Sequence, residues 1–170
     1  MSSTLSIRLA DKEDINSIGF LAQQIWPAAY SGILSKDQLV YMLNLFYSPD
    51  SLTSQMMDQK HIFLMLEDED EPVGFASYSV LPATDIYKLH KLYVLADRQG
   101  QGLGKIIIDY IVEEIGSKGA SSLLLNVNRN NNARFFYEKL GFVVISEEDI
   151  DIGNNFFMND YVMEKKINPA

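Results

Sequence analysis

Around residue 99 the chain must change from strand to helix within a few residues. The apolar run ending in Leu92-Tyr93-Val94 gives way to Gln99-Gly100-Gln101-Gly102-Leu103-Gly104, and an amphipathic pattern follows at Leu103, Ile106, Ile107, Tyr110, Ile111 and Ile115. Glycines there let backbone N–H groups converge without Cβ obstruction, and a helix start presents unpaired N–H groups with a favourable dipole. Arg98 and Lys105 add positive charge to a chain of formal net charge -9, so the local sign opposes the global one. The segment is a candidate anion-binding turn, although a tight ligand-free connection has the same spacing. It is not a Walker loop, because Gly104-Lys105 is followed by Ile106, which has no hydroxyl for magnesium. Nor is it the dinucleotide fingerprint, since the glycines fall at every second position and several elements precede them.

The rest of the chain places this turn in a mixed α/β domain spanning 1–170. A short strand is predicted over Ser6–Leu9, and Asp11 with Asp14 marks a helix start. Ile15, Ile18, Leu21, Ala22 and Ile25 keep helical spacing up to Trp26-Pro27. Ser35 is read as the cap of a second helix through Leu39, Met42, Leu43 and Phe46, and a third is predicted over Ser51–Gln59. Then the period changes. His61–Leu66 and Val73–Leu81 read as strands joined by a charged loop, Glu67 to Pro72, taken as a solvated turn. Asp85–Val94 is the next strand, and the helix after the glycine turn closes at Gly116 or Gly119. Ser122–Val127 is a buried strand. Ala133, Phe136, Tyr137 and Leu140 share a helix face ended by Gly141. Phe142–Ile145 and Phe156–Lys165 complete the strands.

Composition narrows the possible partners. Hydrophobic residues make up 47% and charged residues 22%, which fits an ordered globular domain. The acidity argues against a broad nucleic-acid surface, which needs excess Lys and Arg. It suits a cationic acceptor, though acidity also simply keeps a protein soluble. No cysteine is present, so disulfides, thiolate nucleophiles and Cys-based metal sites are out, and two histidines without metal-ligand spacing give no reason to expect a metal. The opening Met1-Ser2-Ser3-Thr4-Leu5 is unlike a signal peptide, and no apolar run reaches membrane-spanning length. A cytoplasmic protein with no membrane partner is expected.

Arg98-Gln99-Gly100-Gln101-Gly102-Leu103-Gly104 resembles the R/Q-x-x-G-x-G/A motif of the GNAT superfamily of acetyl-CoA-dependent N-acyltransferases. Asn130-Asn131-Asn132-Ala133-Arg134-Phe135-Phe136-Tyr137 through Gly141-Phe142 resembles that family's N-x-x-A-x-x-F-Y-x-x-x-G-F segment. Two motifs in order, with a helix and a strand between them, are more specific than either alone. The strong resemblance covers about Asp85 to Phe142. It implies a single GNAT fold, a mixed, mostly antiparallel sheet of about seven strands flanked by helices. Ile25-Trp26-Pro27-Ala28-Ala29-Tyr30 and the segment from Ile150 to Lys165 also look like the PaiA-like group that acetylates spermidine and spermine.

The resemblance implies direct acetyl transfer from acetyl-CoA to a primary amine of a small molecule, with a polyamine as one candidate. Leu92, Tyr93 and Val94 would hold the pantetheine arm through their backbone. The segment Arg98, Gln99, Gly100, Gln101, Gly102, Leu103, Gly104 and Lys105 would hold the pyrophosphate, and Asn130, Ala133, Phe136 and Tyr137 would complete donor binding. Tyr137 is the expected general acid, since a phenol of pKa about 10 is protonated at neutral pH; the same ring also suits a core helix face. His90, with an ordinary pKa near 6.5, is a candidate base on the strand face shared by Ile86, Lys88, Leu92 and Val94, although an isolated strand histidine also suits a packed, hydrogen-bonded position. Trp26 and Tyr30, with the acidic Glu147, Glu148, Asp149 and Asp151, are candidates for binding an alkylammonium acceptor, although a core Trp beside a surface acidic loop accounts for the same residues. The alternatives are a protein N-terminal or lysine acetyltransferase and a non-catalytic acyl-CoA-binding module. The strand from Asp160 to Glu164 offers a route to a homodimer.

Overall fold

The computed structural model describes residues 4–168; the start of the opening segment, Met1 to Ser3, lies outside them. Seven strands and five α-helices follow in chain order: β1 Leu5–Leu9, α1 Ile15–Ala29, α2 Lys36–Tyr47, α3 Pro49–Met57, β2 Ile62–Asp68, β3 Glu71–Val80, β4 Ile86–Val94, α4 Leu103–Gly116, β5 Ser122–Asn128, α5 Ala133–Lys139, β6 Val143–Gly153 and β7 Phe156–Lys166. The strands form a sheet in the order β1-β2-β3-β4-β5-β7-β6. Pairs β1–β2, β2–β3, β5–β7 and β6–β7 are antiparallel, whereas β4 and β5 run parallel from Ile86↔Ser122 to Leu89↔Leu125. This is the mixed seven-stranded α/β sheet that the resemblance implies.

The chain divides into two compact units. One takes the described residues up to Ser79 together with Lys91–Ile107, and the other takes Val80–His90 with the described residues from Ile108 onward. Strand β4 and helix α4 therefore each pass from one unit into the other. In the first unit Ile18, Ala22 and Leu52 from the helices and Phe75 and Ala76 from β3 are completely buried. Full burial of an aliphatic or aromatic side chain is worth about 2 kcal/mol, so these positions hold the unit together. In the second, Ile111, Ile115, Ala120, Leu123 and Met163 are buried to the same degree.

Local signals explain most element starts. Asp11 accepts from the Glu13 N–H while the Asp14 carboxylate accepts from the Asp11 N–H, a reciprocal box around the short 3-10 turn Lys12–Asp14. The Ser35 hydroxyl caps α2 by accepting from the Gln38 N–H at 3.1 Å. Helix α3 starts before the predicted Ser51, because Ser48 caps it and Pro49 occupies its first turn, where a missing N–H costs nothing. Helix α1 runs through Pro27 to Ala29 rather than stopping there, with the Tyr30 N–H reaching the Trp26 carbonyl at 2.9 Å. A proline forfeits its own N–H bond, and the following residues still find acceptors.

The predicted loop Glu67 to Pro72 is shorter than expected. Glu67 pairs with Pro72 and Asp68 with Glu71, leaving a two-residue turn at Glu69 and Asp70. Both have positive φ, 53° and 67°, the conformation that two-residue hairpins demand. Strand β6 is longer than the predicted Phe142–Ile145, running to Gly153 through nine residues paired with β7. Its acidic half alternates over Asp149-Ile150-Asp151-Ile152, a strand signal that the predicted boundary at Ile145 passed over. No helix among the described residues is long and apolar enough to cross a membrane.

Lys91 on β4 is only 9% exposed. Its ammonium donates to Gln55 Oε1 at 2.6 Å and lies 5.4 Å and 5.7 Å from the Tyr47 and Phe63 ring centroids. Burial without a carboxylate lowers its pKa from 10.5 to about 8. The unfolded chain thus binds more protons between these values, so stability from this group rises with pH across that window. In chemical denaturation, the wild type is expected to gain about 1.5 kcal/mol from this source between about pH 8 and about pH 9.5. Lys91→Met should abolish that gain, and an unchanged pH slope would contradict the burial account.

Candidate active site

The glycine turn lies in the first unit, and its backbone dictates its residues. After β4 the chain makes a 3-10 turn, Ala96–Arg98, closed by the Arg98 N–H to the Leu95 carbonyl at 2.9 Å. Gly100 and Gly102 then adopt φ of 81° and 75°. These values lie in the left-handed region that glycine enters without penalty. A Cβ at either position would meet nothing within 4 Å, so backbone conformation rather than crowding selects glycine and the surface above the turn is open. Gln99 to Gly102 are exposed, whereas Leu103 and Ile107, at 3% and 1% exposure, anchor the start of α4. The 14-residue helix therefore begins at a fixed point with its first-turn N–H groups toward the exposed turn. This combination fits a pyrophosphate. Lys105 is exposed in the first turn of the helix, and the Arg98 guanidinium is ion-paired with Asp68.

Strand β4 is fixed just before the turn. The Leu95 N–H donates to the Val73 carbonyl at 2.9 Å, and a Cβ on Gly74 would come within 2.8 Å of the Tyr93 carbonyl oxygen. Gly74 is thus required for the close approach of β3 to the Leu92-Tyr93-Val94 segment. These three residues are half-buried.

Two of the expected acceptor residues, Trp26 and Tyr30, meet the expected donor strand in the same unit. The Tyr30 and Tyr93 hydroxyls share a hydrogen bond of 2.8 Å. Trp26 is 3% exposed and packs at ring-centroid distances of 4.6 Å from Tyr30, 5.4 Å from Tyr47 and 5.7 Å from Tyr93. Rings this close leave no room for an alkylammonium between them, so Trp26 supports Tyr30 from behind. Tyr47 belongs to the cluster and was not singled out by sequence, because α2 carries no signal tying it to Trp26. Burial, and then nearby Tyr30, push its phenol pKa well up, so it stays protonated. Trp26 and Tyr93 oppose that shift, although Trp26 Nε1 and the Tyr47 hydroxyl make no hydrogen bond among the described residues.

The second unit holds His90, Asn130, Ala133, Phe136 and Tyr137. His90 is half-buried beside buried Leu89. Asn130 is exposed in a loop shaped by neighbours: its N–H donates to Asn128 Oδ1 at 2.9 Å, and the Ala133 N–H donates to Asn131 Oδ1 at 2.9 Å. Asn128 and Asn131 thus each close a local turn through their side-chain oxygens. Helix α5 has no fully buried residue, and Ala133, Phe136 and Tyr137 are half-buried. The Tyr137 ring is held edge-on between Phe136 and Phe142, at 5.1 Å and 5.6 Å. After the helix, Gly141 takes φ of 96°, and the Lys165 ammonium donates to the Leu140 carbonyl at 2.6 Å. This ties the end of α5 to β7.

The candidate acids Glu147, Glu148, Asp149 and Asp151 lie on strand β6, not in a loop. Arg129 reaches Glu147 at 3.7 Å and pairs with Asp149, while Asn126 Nδ2 donates to Glu148 at 3.1 Å and to Asp160 at 3.2 Å. Burial pushes the Asp160 carboxyl up, partly countered by Asn126 and by Lys88. Sequence reading missed this cluster, since Asn126, Arg129 and Asp160 meet only through the β5–β7–β6 register.

The family model described as an acetyltransferase (GNAT) domain matches residues 34–164, a stretch that runs through both compact units. The chain belongs to this family of acetyltransferases. Among its relatives, the spermidine N(1)-acetyltransferase of Thermoplasma acidophilum is 26% identical over 168 residues, covering 96% of this chain and 98% of that protein. The [ribosomal protein bS18]-alanine N-acetyltransferase of Haemophilus influenzae is 30% identical over 99 residues, 58% of this chain and 63% of that protein's length. The crystal structure of the PaiA N-acetyltransferase from Thermoplasma acidophilum in complex with coenzyme A is similar with a TM-score of 0.81 at 26% identity, covering 98% of this chain and 99% of that one. A GCN5-related N-acetyltransferase structure from Rhodopseudomonas palustris shares the fold at a TM-score of 0.81 and 22% identity, covering 98% of each chain.

Gly74→Ala should cost about 1–3 kcal/mol of stability by forcing β3 from β4. Denaturant unfolding checks this, and a cost below about 0.5 kcal/mol would show that the close approach is not constraining.

Proposed function

We propose that the protein transfers the acetyl group of acetyl-CoA to a primary amine of a small molecule, with a polyamine of the spermidine type as the favoured acceptor. The observation that carries this reading is the end-to-end similarity to the Thermoplasma spermidine N(1)-acetyltransferase, seen together with a structural likeness of equal extent to a coenzyme A complex. The open glycine turn at the start of α4 supports the donor assignment, and the net charge of -9 supports a cationic acceptor.

In this reading Gln99 through Lys105 bind the pyrophosphate with backbone amides, and Leu92, Tyr93 and Val94 align the pantetheine arm as an added strand. Asn130, Ala133 and Phe136 complete donor binding. His90 accepts the proton of the attacking amine, directly or through water. As the new C–N bond forms and the thioester C–S bond breaks, Tyr137 gives its phenolic proton to the departing sulfur. Tyr30 borders the acceptor, with Trp26 behind it.

The test is acetyl transfer from acetyl-CoA to spermidine, compared with peptides bearing an N-terminal alanine or an internal lysine. The expected result is turnover with spermidine and little with either peptide. Peptide turnover alone would move the assignment to a protein acetyltransferase, and coenzyme A binding without transfer to any amine would leave only an acyl-CoA-binding module. With the acceptor confirmed, Tyr137→Phe should lower kcat by about 10²-fold, within the range of general acid catalysis, while acetyl-CoA affinity stays within about twofold. Unchanged kcat would remove Tyr137 from the mechanism.

A further inference from the structure

Asp68 belongs to the acidic run that reads, in sequence, as a solvated turn. In the structure it is the last residue of β2 and both of its carboxylate oxygens are engaged: the Thr4 hydroxyl donates to Oδ1 and the Arg98 guanidinium donates to Oδ2. Thr4 and then Arg98 hold the carboxyl below its ordinary range, so it is ionised at neutral pH. Its backbone is fixed too, because Asp68 pairs with Leu5 on one side and with Glu71 across the tight turn on the other. The adjacent Glu67 is held by Arg8, whose guanidinium also binds Asp14 at 2.8 Å. Asp68 is therefore a rigid anion and not a surface charge free to swing.

Arg98 is the last residue of the 3-10 turn that leads into Gln99 and the left-handed Gly100. The exposed stretch from Gln99 to Gly102 has few side chains with which to fix itself, and its two positive-φ glycines would otherwise leave it many conformations. Clamping Arg98 fixes the point from which that backbone departs, while Leu103 buried at the start of α4 fixes the point at which it arrives. We infer that Asp68 is a positioning residue of the donor site, acting through Arg98 to pre-order the amides that receive the pyrophosphate. This rests on the donor assignment proposed above. Its consequence is that Arg98 serves the phosphates indirectly, its charge already matched by Asp68.

The experiment compares wild type, Asp68→Asn, Arg98→Gln and the double variant in coenzyme A affinity, measured by calorimetry without any acceptor. It also measures transfer from acetyl-CoA and from S-acetylpantetheine, which carries the same thioester and no pyrophosphate. Asp68→Asn should weaken coenzyme A binding about tenfold. It should lower the preference for acetyl-CoA over S-acetylpantetheine by the same factor through KM, with kcat on acetyl-CoA little altered. The double variant should be no worse than Arg98→Gln, because the two residues act as one unit. Unchanged coenzyme A affinity, equal losses with both donors, or additive losses in the double variant would each overturn the inference. Failure to acetylate any amine would sink the proposed function and still leave the calorimetric comparison decisive for Asp68.

Discussion

The departure of the chain from Val94 and its arrival at Leu103 constrain the structure more than any other feature. Between these points the backbone must leave a strand, enter the left-handed region at Gly100 and Gly102, and begin a helix with its N–H groups toward the exposed turn. Everything nearby serves that path. Val73 accepts the Leu95 N–H, Gly74 lets β3 lie against the Tyr93 carbonyl, and Leu103 and Ile107 seat the helix in the core. A turn that binds an anion through its backbone needs this kind of preparation, since amides ordered before binding cost less entropy when the ligand arrives.

Charge is distributed in keeping with that path. The protein is strongly acidic, yet Arg8, Arg98 and Arg129 each pair with carboxylates: Arg8 with Asp14 and Glu67, Arg98 with Asp68, and Arg129 with Glu147 and Asp149. The pairs brace β1 and β2, the entry to the glycine turn, and the end of β5 against β6 across the intervening β7 respectively. The proposed pyrophosphate contacts thus depend chiefly on backbone amides and the dipole of α4, with Lys105 close by. Lys91 contrasts with these pairs, a cation buried against Gln55 and two aromatic rings. It is a local cost that the surrounding core must offset.

Elements whose signals are local were legible in the sequence. Asp11 and Ser35 cap as their residue types dictate, the amphipathic run from Leu103 becomes α4, and Gly141 takes the left-handed conformation expected after α5. The paired GNAT motifs at Arg98–Gly104 and Asn130–Phe142 carry the family resemblance in the sequence itself. What sequence could not supply were features set by partners distant in the chain. Glu147 to Asp151 read as a loop because what holds them in a strand is pairing with β7, set by residues further along the chain. Trp26 suited either a core position or a ligand contact from its residue type alone, and its burial follows from Tyr30, Tyr47 and Tyr93 converging on it. Asp68 seemed one more solvated acid because nothing local points it to Arg98, thirty residues on.

The central claim is that the backbone of the glycine turn receives the donor's pyrophosphate. The most direct measurement is a titration of the isotope-labelled protein with coenzyme A, followed through its amide resonances. The account predicts that the largest shifts fall on Gly100, Gly102 and Gly104, with smaller ones along Leu92 to Val94. Saturable binding that moves other amides and leaves those three glycines unshifted would contradict it.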